Sequence, residues 1–458
     1  MSFLESLFAS AWNGVVGPVK RERPTGGLDL GSLVLDGKPT KAKIGITHEK
    51  RAEHIAVLGK TGSGKSMFLR HLAAQDIKSG RGFCYFDLHG DTMPDLLRII
   101  AKQEQETGKD LSDRCIIVEP GDRDHSVGLN VLEGSDTRHS FVQIAEFAQI
   151  LKQRWHLDGF GARTEELLRN SLSVLSDAGH TLLELSPLLS NQTFRASCLR
   201  RCRNIEVRQY FESRFDRASE NMQAVYRDAI LNKISAFTAD PHFRHILGQT
   251  RSTFSLNDAI DSGCWVILNL DKGRLGEQVA TLGSLFLTKV KNALFTRQSR
   301  KLFTLYCDEI QNLVSFDSGL DQLLSEARKF AVSVTSANQF LEQYPPSMRS
   351  AIMSVGTHVF FQLSSQDADK VAQAIDASKH LGQLLKNLPK RNLILKSGHY
   401  APQQVLVATV EIPQVDYREL YERSRRRWAK PRTAVEAEIA ARTRTATQTT
   451  RETLNAWE

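Results

Sequence analysis

The stretch from His54 to His71 constrains the fold more than any other part of the sequence. Its apolar run at 55–58 is typical of a buried strand, the segment 59–66 reads G-K-T-G-S-G-K-S, and a helical pattern begins at 67. The glycines let the backbone curl so that successive N–H groups point inward at phosphate oxygens. The start of a helix adds its positive dipole end to the same anion. This order of elements predicts a nucleotide site rather than a plain glycine turn.

Two side chains at the end of this segment have defined roles in such a loop. Lys65 would reach the β- and γ-phosphates of the nucleotide, and the Ser66 hydroxyl would contact Mg²⁺. The candidate nucleotide-binding residues are Gly59, Thr61, Gly62, Ser63, Gly64, Lys65 and Ser66.

The other apolar runs predict a parallel sheet whose sequence is interrupted by a helical domain. Runs at 82–86 and 115–118 are separated by helical patterns, which is the βαβ arrangement of a parallel sheet. Further strands are predicted at 265–270, 303–307, 331–336, 357–363, 392–396 and 405–410. Helical periodicity dominates between about 137 and 254. The predicted fold class is therefore α/β with an inserted all-α domain.

The sequence predicts five segments in order. They are an N-terminal helix, linker and small β element at 1–45, the first part of the nucleotide-binding domain at 46–136, the all-α domain at 137–255, the second part at 256–415 and a basic, flexible tail at 416–458. The amphipathic N-terminal residues either dock on a partner or membrane surface or pack on the protein itself or a neighbouring subunit. The C-terminal tail either binds DNA or a partner protein, or it is a solvated segment without a binding role.

A second group of candidate residues follows two of the predicted core strands. The run 303–307 leads directly into Asp308 and Glu309. Asp308 can hold the Mg²⁺ shell, and Glu309 can polarise the attacking water as a general base. Gln339 follows another strand, where it either senses the γ-phosphate or is an ordinary strand cap. Together with the glycine-rich loop, the acidic pair predicts nucleotide hydrolysis.

Composition and net charge indicate the kind of binding partner and the cellular compartment. The formal net charge of +8 favours a polyanionic partner such as nucleic acid. No apolar run has the length needed to span a bilayer, and no signal-peptide pattern is present. The expected localisation is cytoplasmic, with peripheral attachment at the inner membrane as the alternative. Cys198 and Cys202 lack two further ligands at zinc-binding spacing. The other four cysteines lie inside apolar runs and are expected to be small buried hydrophobic residues.

Several stretches resemble one known group of proteins. They are F-D-L-H-G-D at 86–91, I-L-G-Q at 246–249, N-L-D-K-G at 269–273, D-E-I-Q-N-L at 308–313, L-S-E-A-R-K-F at 324–330 and A-N-Q-F-L-E-Q at 337–343. In this order they look like the HerA/FtsK superfamily, and within it the TraD/TraG-type conjugative coupling proteins. The resemblance implies a RecA-like P-loop core, a ring of six subunits and ATP-driven movement of DNA. Coupling proteins usually carry N-terminal transmembrane helices, which this sequence lacks.

The resemblance also assigns roles to individual residues. It implies that Lys65 and Ser66 bind phosphate and magnesium, that Asp308 and Glu309 form the Walker B pair, and that Gln339 senses the γ-phosphate. Arg328 stands where the family supplies an arginine finger to the next subunit, and its alternative role is that of a solvated helix charge. ATP and Mg²⁺ are the implied ligands.

The function predicted from these residues is an ATP-driven hexameric DNA translocase of the coupling-protein type. Its expected partners are DNA and further copies of itself, with a relaxase, secretion-channel proteins or a nuclease as candidates. One alternative is a HerA-like motor that works with a nuclease in repair or phage defence. Another is an ATPase that energises type IV secretion of protein. A nucleotide-gated scaffold is disfavoured because both Lys65 and Glu309 are present.

Overall fold

The computed structural model describes residues 27–133, 137–154, 161–276, 278–314, 320–344, 346–375 and 379–455. The amphipathic N-terminal segment, for which the sequence predicts a helix, lies outside the described residues. Among the described helices, none combines the length and the apolar character that a membrane span requires.

The described residues form one large sheet and one small one. The strands are β1 Leu28–Leu35, β2 Lys38–Ile46, β3 Ile55–Leu58, β4 Phe83–Asp87, β5 Cys115–Val118, β6 His125–Ser126, β7 Trp265–Asn269, β8 Phe303–Asp308, β9 Val332–Asn338, β10 Thr357–Phe360, β11 Asn392–Ser397, β12 Gln403–Leu406 and β13 Lys430–Pro431. The large sheet has the order β2-β1-β12-β11-β10-β3-β9-β8-β4-β7-β5, and β13 pairs with β6.

The strands from β10 to β5 in this order are parallel, and the four at the other edge are antiparallel. The parallel strands β3, β5 and β7 are buried at every residue, which explains their continuous apolar sequences. The small β element predicted near the N-terminus joins the same sheet, because Leu33 of β1 pairs with Val405 of β12. The predicted α/β class with a RecA-like core is confirmed.

Helices fill both faces of the sheet and the interval between β6 and β7. Those of the α/β part are His48–Arg51, Lys65–Lys78, Thr92–Thr107, Lys272–Leu275, Gln278–Thr296, Gln311–Val314, Leu320–Glu326, Pro346–Met353, Ser365–Ala374 and Lys379–Asn387, with 3₁₀ turns at Ala327–Phe330 and Leu341–Gln343. Those between β6 and β7 are Thr137–Arg154, Gly161–Ala178, Leu185–Ser190, Gln192–Leu199, Ile205–Tyr210, Glu220–Thr238, Pro241–Leu247 and Leu256–Ser262, with a 3₁₀ turn at Leu182–Glu184 and a π turn at Phe211–Phe215. Among the described residues of this interval there is no strand.

The C-terminal segment differs from its prediction. Helix Arg418–Trp428 packs on the edge strand β5, where the Ser424 hydroxyl donates to the Cys115 carbonyl at 2.6 Å, and a second helix follows at Arg432–Asn455. The two described helices differ from the prediction of a flexible tail from residue 416. Its arginines have distant acidic partners, for example Asp122 for Arg425 at 3.3 Å, which local sequence does not reveal.

Candidate nucleotide site

The glycine-rich loop connects β3 to helix Lys65–Lys78. Gly62 and Gly64 have φ angles of +74° and +120°, which favour glycine. At Gly59 a Cβ atom would lie 2.6 Å from the Cβ of Phe361, so only glycine fits there. The loop therefore needs Gly62 and Gly64 for its backbone curvature and Gly59 for close packing against Phe361 at the end of β10.

Three segments that are distant in sequence hold this loop by backbone hydrogen bonds. The Gly59 N–H donates to the Asn338 carbonyl at 3.1 Å, and the Lys60 N–H donates to the Gln362 carbonyl at 2.8 Å. The Arg391 N–H donates to the Ser63 carbonyl at 3.1 Å. Sequence analysis missed Phe361, Gln362 and Arg391 because no local pattern marks a residue that supports a loop from another strand.

Lys65 lies under the loop and is buried. Its ammonium donates to the carbonyls of Gly59 at 2.7 Å and Lys60 at 3.1 Å. Burial lowers the pKa of Lys65, and the carboxylates of Asp308 and Glu309 oppose this shift. The ammonium is therefore positioned at the centre of the loop, as a phosphate ligand must be.

Ser66 and Asp308 form a candidate Mg²⁺ site. The Ser66 hydroxyl donates to Asp308 Oδ2 at 2.6 Å. The other oxygen, Oδ1, is buried and has no hydrogen-bond partner among the described residues. Burial raises the pKa of Asp308, while the Ser66 hydroxyl and Lys65 oppose this. Hydroxyl and carboxylate oxygens are ligands that Mg²⁺ prefers, and an unpartnered buried oxygen suits a cation. These residues fit the predicted metal.

Glu309, Gln339 and Thr61 form a hydrogen-bonded chain that leads back to the loop. Gln339 Nε2 donates to Glu309 Oε1 at 2.5 Å, and the Thr61 hydroxyl donates to Gln339 Oε1 at 3.0 Å. Asn312 Nδ2 donates to Glu309 Oε2 at 3.3 Å, and His89 Nε2 lies 3.5 Å from the same oxygen. Sequence analysis assigned no role to His89 or Asn312, although both lie in quoted motif stretches.

Arg328 is the one predicted site residue that the structure separates from the others. It lies in the 3₁₀ turn Ala327–Phe330, its side chain is 66% exposed, and its guanidinium is 3.5 Å from Glu53 Oε1. Glu53 precedes β3, whereas the glycine-rich loop follows β3. At about 3.3 Å of rise per residue, the strand alone puts roughly 13 Å between these two ends. Arg328 therefore cannot reach the loop of its own subunit.

The arrangement has the chemical parts of a nucleotide hydrolysis site. It combines a phosphate-binding loop with its lysine, an oxygen pair for a divalent cation, and a carboxylate that is held beside a glutamine at the ends of adjacent strands. Because β3, β9 and β8 are neighbours and parallel, their carboxyl ends bring these residues together.

Comparison with known proteins identifies related sequences and folds. A family model described as the type IV secretion-system coupling protein DNA-binding domain matches residues 38–385, well over half of the chain. No curated protein matches the sequence. The plasmid coupling protein TrwB in complex with the non-hydrolysable ATP analogue ADPNP has 17% sequence identity and a TM-score of 0.57, and the match covers 88% of this chain and 99% of that one.

Two further solved structures have the same fold. TrwB in complex with ADP and Mg²⁺ has 17% identity and a TM-score of 0.57, with 84% of this chain and 90% of that chain covered. VirB4 of Thermoanaerobacter pseudethanolicus has 15% identity and a TM-score of 0.55, with 85% and 98% covered. At these identities the likeness establishes the fold, which is that of coupling proteins and VirB4.

Proposed function

Because this chain belongs to the family of type IV secretion-system coupling protein DNA-binding domains, we propose that it is an ATPase that moves DNA as a ring of six subunits. The fold, the conjugation and type IV secretion context, and the resemblance predicted from the sequence agree with this family. The hydrolysis of ATP, the movement of DNA and the ring are the proposal.

ATP and Mg²⁺ are the proposed ligands of the glycine-rich loop. The related TrwB structures hold ADP with Mg²⁺ and the ATP analogue ADPNP. In this chain the inward N–H groups of the loop and Lys65 would bind the β- and γ-phosphates. Ser66 and Asp308 would hold Mg²⁺, which when bound supplies positive charge to the phosphate oxygens.

The residues at the ends of β8 and β9 would carry the hydrolytic step. Glu309 would accept a proton from water as the water oxygen bonds to the γ-phosphorus. The bond from that phosphorus to the β,γ-bridging oxygen breaks, and its electron pair leaves with ADP. Gln339, which contacts both Glu309 and Thr61, would orient the carboxylate and detect whether the γ-phosphate is present. Lys65 would stabilise the charge that develops on the transferred group.

The hydrogen-bonded chain from Thr61 through Gln339 to Glu309 is the observation that carries this proposal. It connects the phosphate-binding loop to the candidate base directly, so the base can respond to the nucleotide. A loop that merely bound a nucleotide would not require a carboxylate positioned in this way.

The decisive experiment measures ATP hydrolysis without DNA, with single-stranded DNA and with double-stranded DNA. We expect hydrolysis that DNA stimulates. In Lys65→Ala the turnover should fall at least tenfold in all three conditions, because the positive charge at the phosphates is lost. Absence of ATP hydrolysis by the wild-type protein in every condition would contradict the proposal.

A second function has support from one specific match. The VirB4 structure shares this fold, so an ATPase that energises protein secretion is the competing assignment. That protein would hydrolyse ATP with the same residues, but its turnover would not change when DNA is added. The same three-condition assay therefore separates the two functions.

A further inference from the structure

A cavity of about 290 Å³ lies beside Glu309. Its polar walls are His89, Lys272, Glu309 and Asn312, and Leu88 and Val279 are among its apolar ones. Since a water molecule takes up about 30 Å³ of the liquid, the cavity is large enough for a hydrated oxyanion. None of the residues assigned to ATP binding lines it.

The order of the strands determines where the cavity lies relative to the nucleotide. Across the carboxyl edge of the sheet, β3 leads to the loop, β9 to Gln339, β8 to Glu309, β4 to His89 and β7 towards Lys272. Neighbouring strands are about 4.8 Å apart. The cavity therefore lies beyond Glu309, the candidate base, as counted along this edge from the loop. The nucleoside diphosphate would lie on the other side of Glu309, at the loop itself.

The walls of the cavity are held in place by the backbone. Asp87 accepts the N–H groups of Gly90 at 2.9 Å, Thr92 at 3.0 Å and Met93 at 2.8 Å, which fixes the turn that carries His89. The Lys272 N–H donates to the Leu88 carbonyl at 3.1 Å, so the turn after β7 is attached to the turn after β4. The two basic residues thus sit on connected, ordered turns.

Lys272 supplies the cavity with a positive charge that suits an anion. Lys272 has no ion pair or hydrogen bond to its ammonium among the described residues, although neighbouring Arg274 pairs with Glu119 at 3.3 Å and with Asp271 at 3.2 Å. His89 Nε2 lies 3.5 Å from Glu309 Oε2 at the same wall. An ammonium without a partner at the wall of a cavity is available for a phosphate oxygen.

We propose that this cavity is the exit site for the inorganic phosphate produced by ATP hydrolysis, and that Lys272 is its principal ligand. The inference rests on the proposed ATPase. Cleavage leaves phosphate between ADP in the glycine-rich loop and the cavity, so the cavity offers a way out that does not pass the ADP. Phosphate can then leave while ADP remains bound, and Glu309 stands between the two sites.

The test separates cleavage from release in a single turnover. Acid quenching measures all the phosphate formed, and a fluorescent phosphate-binding protein measures only the phosphate that has left. The variants are Lys272→Glu and Lys272→Met in the full chain. The matched control is Lys301→Glu, which alters an exposed lysine just before β8, at the opposite end of the strands.

In Lys272→Glu we expect cleavage at the wild-type rate and free phosphate that appears roughly tenfold more slowly, because attraction is replaced by repulsion. Lys272→Met should give a smaller delay, and Lys301→Glu none. Inhibition of turnover by added inorganic phosphate should weaken in the same order, because phosphate enters by the same path.

Release and phosphate inhibition at wild-type values in both Lys272 variants, with cleavage intact, would overturn the exit site and leave the ATPase proposal standing. An equal delay in Lys301→Glu would also overturn it, since the effect would then follow net charge. Absence of cleavage in the wild-type protein would overturn the ATPase proposal, and this inference with it.

Discussion

At the scale of single residues, Glu309 has a conformation that its sequence alone does not suggest. Its φ angle is +52°, a left-handed value that costs a residue with a Cβ atom of order 1–3 kcal/mol. The strained backbone turns the carboxylate towards Gln339, at 2.5 Å, and Asn312, at 3.3 Å. A costly conformation that places a carboxylate against Gln339, which accepts a hydrogen bond from Thr61 of the glycine-rich loop, is consistent with the role of a base.

Changing Glu309 to Gln should separate nucleotide binding from hydrolysis. The amide keeps the size of the side chain but cannot accept the proton from water, so hydrolysis should fall by about 10²- to 10⁴-fold. ATP affinity should change little, because Lys65 and the loop are intact. Single-turnover hydrolysis and binding of a fluorescent ATP analogue measure the two steps.

Glu106→Gln is the matched control for this change, since it makes the same substitution at an exposed position of helix Thr92–Thr107, outside the site. It should hydrolyse ATP normally. If Glu309→Gln also does so, the base is another group.

At the scale of elements, a buried ion pair joins the three segments that position the site. Arg51 Nη1 donates to Asp76 Oδ1 at 2.7 Å, and the Tyr306 hydroxyl donates to Asp76 Oδ2 at 2.7 Å. All three side chains are buried. They belong to the helix before β3, the helix after the glycine-rich loop, and β8, two residues before Asp308. The loop and the acidic pair are thus held at a fixed separation.

Asp76→Asn should destabilise the fold because it leaves the Arg51 charge buried without its counter-charge. Loss of one partner of a buried pair costs about 3–5 kcal/mol, which should appear as a lower midpoint of urea unfolding. An exposed pair provides the control: Glu106→Gln, which removes the partner of Lys102 at 3.6 Å, should cost about 1 kcal/mol or less. Equal midpoints for the two variants would mean that the buried pair does not stabilise the fold.

The pH dependence of stability gives a second measurement of this pair. Burial would raise the pKa of Asp76, but the Arg51 guanidinium and the hydrogen bonds from Arg51, Tyr306 and Arg81 hold it below its usual value. The stabilisation is therefore present above the unfolded-state pKa of about 3.9 and is lost as the pH falls through the folded-state value. Asp76→Asn should lack this part of the acid sensitivity.

At the scale of the whole molecule, the position of Arg328 bears on assembly. The side chain is exposed at the amino end of the strands, whereas the glycine-rich loop of its own subunit lies at their carboxyl end. In a head-to-tail ring, each interface brings together different surfaces of two neighbours. An arginine there could complete the next subunit's site but not its own.

Arg328→Ala should therefore hydrolyse ATP poorly while it still binds ATP through its own Lys65. An arginine supplied by a neighbour contributes about 10³ to 10⁵ in rate. Mixing Arg328→Ala with Lys65→Ala subunits should restore part of the activity, since some interfaces then pair an intact loop with an intact arginine. The exposed neighbour Lys329, changed to Ala, is the control and should keep full activity.

If mixed rings form, as judged by native mass spectrometry, and hydrolysis never recovers, Arg328 does not complete the site of a neighbouring subunit.

At the same scale, we expect DNA binding to depend on the formal net charge of +8, which belongs to the entire chain. Phosphate contacts release counterions, so DNA affinity should fall by at least tenfold between about 50 and 200 mM salt. Fluorescence anisotropy with a labelled oligonucleotide measures this, and the same titration with a neutral-backbone analogue of the oligonucleotide is the control. Affinity that does not change over this range would favour the protein-secretion function.

The sequence by itself determined the features whose parts are close together along the chain. The strand, glycine-rich loop and helix around Lys65 are contiguous, so their geometry follows from local backbone preferences, and Asp308 with Glu309 follows one apolar strand in the same way. The α/β class could be predicted because each strand's periodicity is local. Family resemblance added Gln339 and Arg328, for which residue patterns left alternatives open.

Only the tertiary structure decided which distant segments meet. The order β3-β9-β8-β4-β7 brings Gln339, Glu309 and His89 to consecutive positions along one edge, although their strands are far apart in sequence. It also separates Arg328 from its own loop, pairs the C-terminal arginines with acids near β5, and encloses the cavity beside Lys272. The physical reason is that strand order depends on long-range packing, whereas apolar periodicity reports only on the residues adjacent to each position.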